Sequence, residues 1–152
     1  MRPAIRTARA VLWTVGLVAA LAAADRLVLG SRPPVGWQSA STIGEVPPEA
    51  GLPLVPSYLP EPLSWPPRRI AWSLPPEEGW WVRIDAAGEP ALWIGAGAIP
   101  PDLHPAGCLD GRGCPTGWRT LSRSVEGRPA IIVTNLPPHR ARRVLDGLHR
   151  PL

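Results

Sequence analysis

The sequence predicts an α+β fold: a small antiparallel β-meander of about five strands with one C-terminal helix, attached to an N-terminal transmembrane helix. Three observations lead there. Between residues 69 and 134, short apolar runs alternate with period two and are separated by turns containing Pro or Gly. After Pro137-Pro138 the period changes to that of a helix. Ahead of all this, residues 10–24 (AVLWTVGLVAALAAA) carry no charge, and Arg2, Arg6 and Arg9 precede them without an acid.

The N-terminal run decides the compartment in which the rest is read. A basic flank followed by an uncharged apolar stretch has the layout of an export signal. Ala22, Ala23 and Ala24 suit cleavage before Asp25, which would release a secreted body. The apolar text resumes at Leu27-Val28-Leu29-Gly30, however, so residues 10–30 reach the roughly 20 residues that one span requires. Asp25 and Arg26 then fall near the interface, where an arginine side chain snorkels. The favoured reading is an uncleaved signal-anchor crossing the cell membrane once, arginines inside and the body extracytoplasmic. Residues 1–30 form the anchor, residues 31–51 a Pro/Ser/Gly-rich stalk, and residues 52–152 the extracytoplasmic domain.

Charge and composition narrow the partners. The chain has 16 arginines, no lysine and 12 acids; without Arg2, Arg6 and Arg9 the balance is 13 against 12. A nucleic-acid binder keeps its positive charge on the folded part, so no nucleic-acid partner is expected. Twenty-two prolines and 15 glycines approach the composition of disordered chains, but eight tryptophans oppose that reading. An ordered core with proline-laden loops satisfies both.

Residues 31–51 show turn formers and no period, the signature of an extended spacer. Trp37 in that spacer belongs either at the membrane interface or against the body. Residues 52–67 (LPLVPSYLPEPLSWPP) hold too many prolines for a central strand or a long helix. Leu54, Val55, Tyr58, Leu59, Leu63 and Trp65 are too apolar for a free linker, which predicts an extended cover laid across a sheet.

The strands follow. Residues 69–74 put Ile70, Trp72 and Leu74 on one face. Residues 80–85 put Trp80, Val82 and Ile84 on one face and Trp81, Arg83 and Asp85 on the other. Residues 91–96 make the third strand, and residues 118–125 a weaker fourth. Glu126-Gly127 turns tightly into residues 129–134, the most apolar strand and therefore placed centrally. Neighbouring tryptophans pair across such a sheet for a few tenths to about 1 kcal/mol each. Pro138 suits a first helical position, and Ala141, Val144, Leu145 and Leu148 recur at helix spacing opposite Arg140, Arg142 and Arg143. That helix covers one face of the sheet.

This order of elements, with Pro56-Ser57-Tyr58-Leu59-Pro60 at its head and the strand GRPAIIVTNLP before the helix, resembles a domain of unknown function. The family sits at the C-terminus of bacterial membrane-anchored proteins, anti-sigma-factor-like and lipoprotein-like ones among them. The likeness covers about residues 54–148. The chain departs from the family in lacking the glycine after the phrase, in its cysteine loop, and in showing no zinc- or sigma-binding segment before the anchor, so no sigma-regulating role is expected. The resemblance implies no catalytic residues.

Cys108 and Cys114 bracket a glycine-containing loop, CLDGRGC. In an exported body two cysteines predict one disulfide. The competing arrangement, a metal held by His104, Cys108 and Cys114 with His139 or His149, has poor ligand spacing; no metal and no cofactor are expected. His104 has nothing to orient it as a base beside a thiol, and His149 lies where it complements a helix dipole. Glu77-Glu78 reads as a solvated turn. No nucleophile elbow, P-loop or dinucleotide fingerprint is present, and no catalytic residue is assigned. Trp80, Trp81 and Trp93 are either core or a stacking platform. Because Trp80 and Trp81 point to opposite faces, one of them is a candidate contact residue or packs beneath the proline-rich cover. These three tryptophans and the cysteine loop form the expected contact surface of a non-enzymatic, membrane-anchored interaction, sensory or accessory module with an unknown protein partner. The alternatives are an exported hydrolase of cell-wall or surface polymer, using His104, Asp102 or Asp110, and a small accessory subunit of a membrane complex.

Overall fold

Strands form where apolar and polar residues alternate, and they stop where Pro or Gly intervenes. A computed structural model of the chain describes residues 35–86, 91–103, 105–110 and 112–151. In it the strands are β1 (Gln38–Ala40), β2 (Val55–Pro56), β3 (Arg69–Ser73), β4 (Gly79–Asp85), β5 (Ala91–Gly97), β6 (Arg119–Val125), β7 (Arg128–Thr134) and β8 (Leu148–His149), with one helix, α1 (Pro138–Asp146). Six of the strands build one antiparallel sheet in the order β1-β3-β4-β5-β7-β6, and β2 pairs with β8. The five expected strands are all present, as is the C-terminal helix. The apolar β7 is interior, between β5 and β6. The proposed span, residues 10–30, lies outside the described residues. Among the described residues no helix is long and apolar enough to cross a membrane.

The β6–β7 hairpin closes through Glu126-Gly127, both at positive φ (52° and 79°), with Val125 opposite Arg128. Paired positive φ values give the turn whose twist matches the flanking strands.

One face of the sheet carries Ile70, Trp80, Val82, Ile84, Leu92, Ile94 and Ile132. The buried stripe of α1, Ala141, Val144 and Leu145, packs there, as expected from its spacing. Arg123, reaching from β6, donates from Nη1 to the carbonyl oxygens of Leu145 and Asp146 at 3.4 and 3.0 Å. A cation on the last carbonyls satisfies orphan acceptors and opposes the helix dipole. The proline-rich cover completes this layer through Leu54, Tyr58, Leu59 and Leu63. It is strapped to the end of α1 by the β2–β8 pairing, by Ser57 N–H donating to the Gly147 carbonyl at 2.9 Å, and by Arg143 stacked 4.1 Å from the Tyr58 ring centroid.

The expected stalk differs from what is found. From residue 35 onward it belongs to the folded body. Gln38, Ser39 and Ala40 pair with Trp72, Ala71 and Ile70, giving β3 a neighbour where its edge would otherwise be unpaired. Val46 and Ala50 are buried, and Gly51, at φ 95°, lies against the Trp80 indole. A Cβ on Gly51 would approach Trp80 Cδ1 to 3.0 Å.

Candidate functional site

The second face of the sheet is also covered, which overturns the reading of its tryptophans as an exposed contact. Trp81 and Trp93 are 0% and 1% exposed, and they cluster with Leu103 and Val133 beneath Ile99, Cys108, Leu109 and Trp118. The excursion after β5 thus folds back as a lid. Trp37 joins this cluster, so it packs on the body. Trp81 Nε1 donates to the Ala98 carbonyl at 2.7 Å, satisfying the polar edge of a buried indole. The ring lies directly over Gly95, its partner on β5, where a Cβ would sit 2.5 Å from Trp81 Cε3. Trp80, on the opposite face, is 4% exposed. Trp81 and Trp93 are therefore sealed beneath the lid, and Trp80 packs in the core of the opposite face.

Cys108 and Cys114 form a disulfide, six positions apart. A loop this short removes about 2–3 kcal/mol of unfolded-chain entropy. One further contact tethers the lid, Thr120 Oγ1 of β6 donating to the Cys108 carbonyl at 3.1 Å, and within the lid the Gly113 N–H donates to the Gly107 carbonyl at 3.0 Å.

The residues considered for hydrolysis do not converge. Asp102 pairs with Arg69 of β3, while Asp110 accepts from the Arg112 amide at 3.0 Å and pairs with its Nε at 3.2 Å. His104 lies outside the described residues. His139 and His149 are exposed, with His149 Nδ1 3.1 Å from the Gly147 carbonyl. Among the described residues, no three His, Cys, Asp or Glu side chains gather closely enough to hold a metal. A different polar group sits on the lid face: Asp85, its side chain 5% exposed, takes Arg83 at 2.8 Å and Arg68 at 3.7 Å. Arg83 also stacks 5.5 Å from the Trp93 ring. Two guanidiniums thus compensate the one buried carboxylate, and the group reads as a structural ion cluster.

The feature that sequence reasoning missed is a fork in the sheet. Pairing of β5 with β7 ends at Gly95 opposite Ile131. The β4–β5 pairing runs on to Gly79 opposite Gly97, and β6–β7 continues to Val125 opposite Arg128. Beyond Gly95 the two hairpins therefore part. Continued register would set Gly97 against Pro129, which has no N–H to offer, so the ladder cannot close there. Odd-numbered residues of β5 direct their backbone groups towards β7, as Ala91 shows: its carbonyl accepts from Thr134 Oγ1 at 2.7 Å and its N–H donates to Asn135 Oδ1 at 2.9 Å. By the same alternation the Gly97 N–H points into the fork.

A cleft of about 420 Å³ opens at this place. Trp80 lies in its floor, and Ala50, Leu52 and Leu54 from the former stalk and cover make one wall. Glu78, in the β3–β4 turn, and Arg128, on the opposite hairpin, both line it. Neither side chain makes an ion pair among the described residues, and the Trp80 indole N–H has no hydrogen-bond partner among them. Arg150, also at the cleft, is engaged by Glu126 at 2.6 Å. The signal available in the sequence was weak: Gly97 ends one strand and Pro129 lies at the start of another, but only the register shows that they meet.

No family model matches the chain, no curated protein matches it, and no solved structure matches it.

Proposed function

We propose that the chain is a non-enzymatic, membrane-anchored interaction module with its folded body outside the cytoplasm, and that its contact site is the cleft at the fork. The cleft carries this reading. It combines an apolar floor, main chain left without a partner, and Glu78 and Arg128 as opposite charges without an ion pair among the described residues, beside the paired Arg150, with no hydroxyl, thiol or imidazole among its lining residues. Such a lining suits holding a ligand, and its one carboxylate, Glu78, has no hydroxyl, thiol or imidazole beside it in the lining to form a catalytic pair. The Cys108–Cys114 disulfide suits an oxidising compartment. The anchor is read from residues 10–30, and the resemblance to a bacterial membrane-anchored domain over residues 54–148 is consistent with it.

The test is site-specific photocrosslinking in an exporting host. Leu52, 39% exposed and on the cleft wall, is replaced by a benzoylphenylalanine in one variant, and exposed Arg140 on α1 in another. The expected result is a discrete adduct in the membrane fraction from position 52 and none from position 140. Adducts of the same mass from both positions, or from position 140 alone, would remove the cleft as the contact site.

A further inference from the structure

We propose that the outward side of α1 docks on anionic phospholipid headgroups of the membrane in which the chain is anchored. The inference rests on residues 10–30 forming the anchor and is independent of the cleft. A contact with lipid adds no protein adduct at position 140.

Positive charge is left over on one side of the sheet. Arg68, Arg69, Arg83, Arg112, Arg123 and Arg150 each pair with a carboxylate. Arg140, Arg142 and Arg143 of α1 are exposed and have no acid partner among the described residues. Arg140 and Arg143 are three positions apart on one helix, where like charges repel, so the pair costs stability rather than adding to it. Asp146, the one acid of α1, is engaged by Arg123. Strand alternation sets Arg119 and Arg128, opposite Thr134 and Val125, on the same side of the sheet as α1. The other acids of this side do not offset the helix. Glu45 accepts from the Ser41 amide at 2.8 Å, and Glu49 adjoins the segment that reaches Trp80 of β4, whereas α1 packs on β6 and β7. Glu61, in the proline-rich cover, pairs with no arginine among the described residues.

The tether selects a lipid surface. The expected stalk is folded from residue 35 onward, so the chain between residue 30 and the body spans five Cα steps, at most roughly 18 Å. Headgroups occupy roughly 6 Å of that length. The remainder is less than the width of a folded body of this size, so one of its faces is always within reach of the headgroups and binds as a tethered, intramolecular event. The Glu77-Glu78 turn would be repelled there, and the α1 side attracted. Guanidinium groups suit phosphate oxygens, which they bond in bidentate fashion. The apolar stripe of α1 is buried, so the helix offers lipid its charge and does not insert. Nucleic acid is disfavoured, because residues 119–151 contain no Trp, Tyr or Phe on which a base could stack.

The experiment reconstitutes the full chain, one copy per nanodisc, in phosphatidylcholine or in its equal mixture with phosphatidylglycerol, each with a trace of headgroup-nitroxide lipid. A coumarin amino acid replaces exposed His139 on α1 in one variant and exposed Glu77 in the β3–β4 turn in another. At position 139 the expected result is strong quenching in mixed discs at about 0.1 M salt. It should be weak in phosphatidylcholine, and weak again at about 1 M salt, where the screening length falls from about 10 to about 3 Å. At position 77 quenching should be weak throughout. Arg140→Gln combined with Arg142→Gln should lower the ratio of docked to undocked body about thirtyfold, the scale of two arginines removed from an anionic surface. Arg140→Lys with Arg142→Lys should restore most of it, and urea unfolding of both variants should match the parent. Equal quenching at position 139 in the two lipids, or none lost in the double glutamine variant, would overturn the docking. Stronger quenching at position 77 than at position 139 would overturn it too, by turning another face to the membrane. A chain that does not co-elute with the discs would overturn the anchor on which the inference rests.

Discussion

Gly95→Ala is expected to lower the stability of the body by about 3 kcal/mol, the upper part of the range for forcing one carbon into a filled core. Gly95 is buried in the middle of β5 and has ordinary backbone angles; its requirement is space. The Trp81 indole occupies the position where a side chain would stand, and the Trp80 carbonyl oxygen is 2.5 Å from the site of the missing Cβ. Trp81 has little freedom to retreat, because its Nε1 is tied to Ala98 and Leu103 seals it from above. The control is Gly44→Ala, whose Cβ would have no neighbour nearer than 4.0 Å and which is expected to stay within about 0.5 kcal/mol of the parent. Urea unfolding followed by tryptophan emission measures both. Equal stabilities for the two variants would show that the indole does not lie on Gly95.

Trp81→Ala is expected to cost about 4 kcal/mol, in the range for deleting a fully buried aromatic side chain. The loss has two components, which Trp81→Phe separates. Phenylalanine keeps much of the ring contact with Val133 and Leu103 but leaves the Ala98 carbonyl without its donor, for about 1–2 kcal/mol. The alanine variant should also loosen the lid, since the cluster beneath it loses one of its two buried tryptophans. Limited trypsin digestion reads this directly at Arg112, whose side chain is 85% exposed within the disulfide loop. The expected pattern is rapid cleavage after Arg112 in Trp81→Ala and slow cleavage in the parent and in Trp81→Phe. Unchanged cleavage in all three would mean that the disulfide and Thr120 hold the lid without help from the indole.

Much of the sheet was legible because its strands are long enough to show a period. Ile70, Trp72 and the Trp80, Val82, Ile84 series fall on one face as alternation requires, and Trp72 stands directly opposite Trp80. Glu126-Gly127 and the helix after Pro138 were legible for the same reason: local geometry dictates residue type there. The cover over the second face does not follow from strand alternation, although the sequence carries a sign of it. Trp80-Trp81-Val82, Leu92-Trp93-Ile94 and Ile131-Ile132-Val133 are unbroken apolar triplets, which a sheet solvated on one side would not tolerate. The packing of residues 35–51 left no period to read, because β1 is three residues long and its buried anchors, Val46 and Ala50, are joined by 3₁₀ turns. Mistaking such a segment for a stalk follows directly from its proline and glycine content. The fork lay furthest from the sequence, since it depends on the register between two strands about thirty positions apart.

A disulfide-closed body standing outside the cytoplasm on an uncleaved anchor is the premise on which the functional proposals rest. Its decisive test is expression of the full chain in an exporting host, followed by membrane fractionation, mass measurement and thiol labelling before and after reduction. The expected outcome is recovery with the membranes at full-length mass, no labelled cysteine before reduction, and two after it. A soluble product beginning at Asp25 would contradict the anchor, and two reactive thiols in a chain retained inside the cell would contradict the compartment itself.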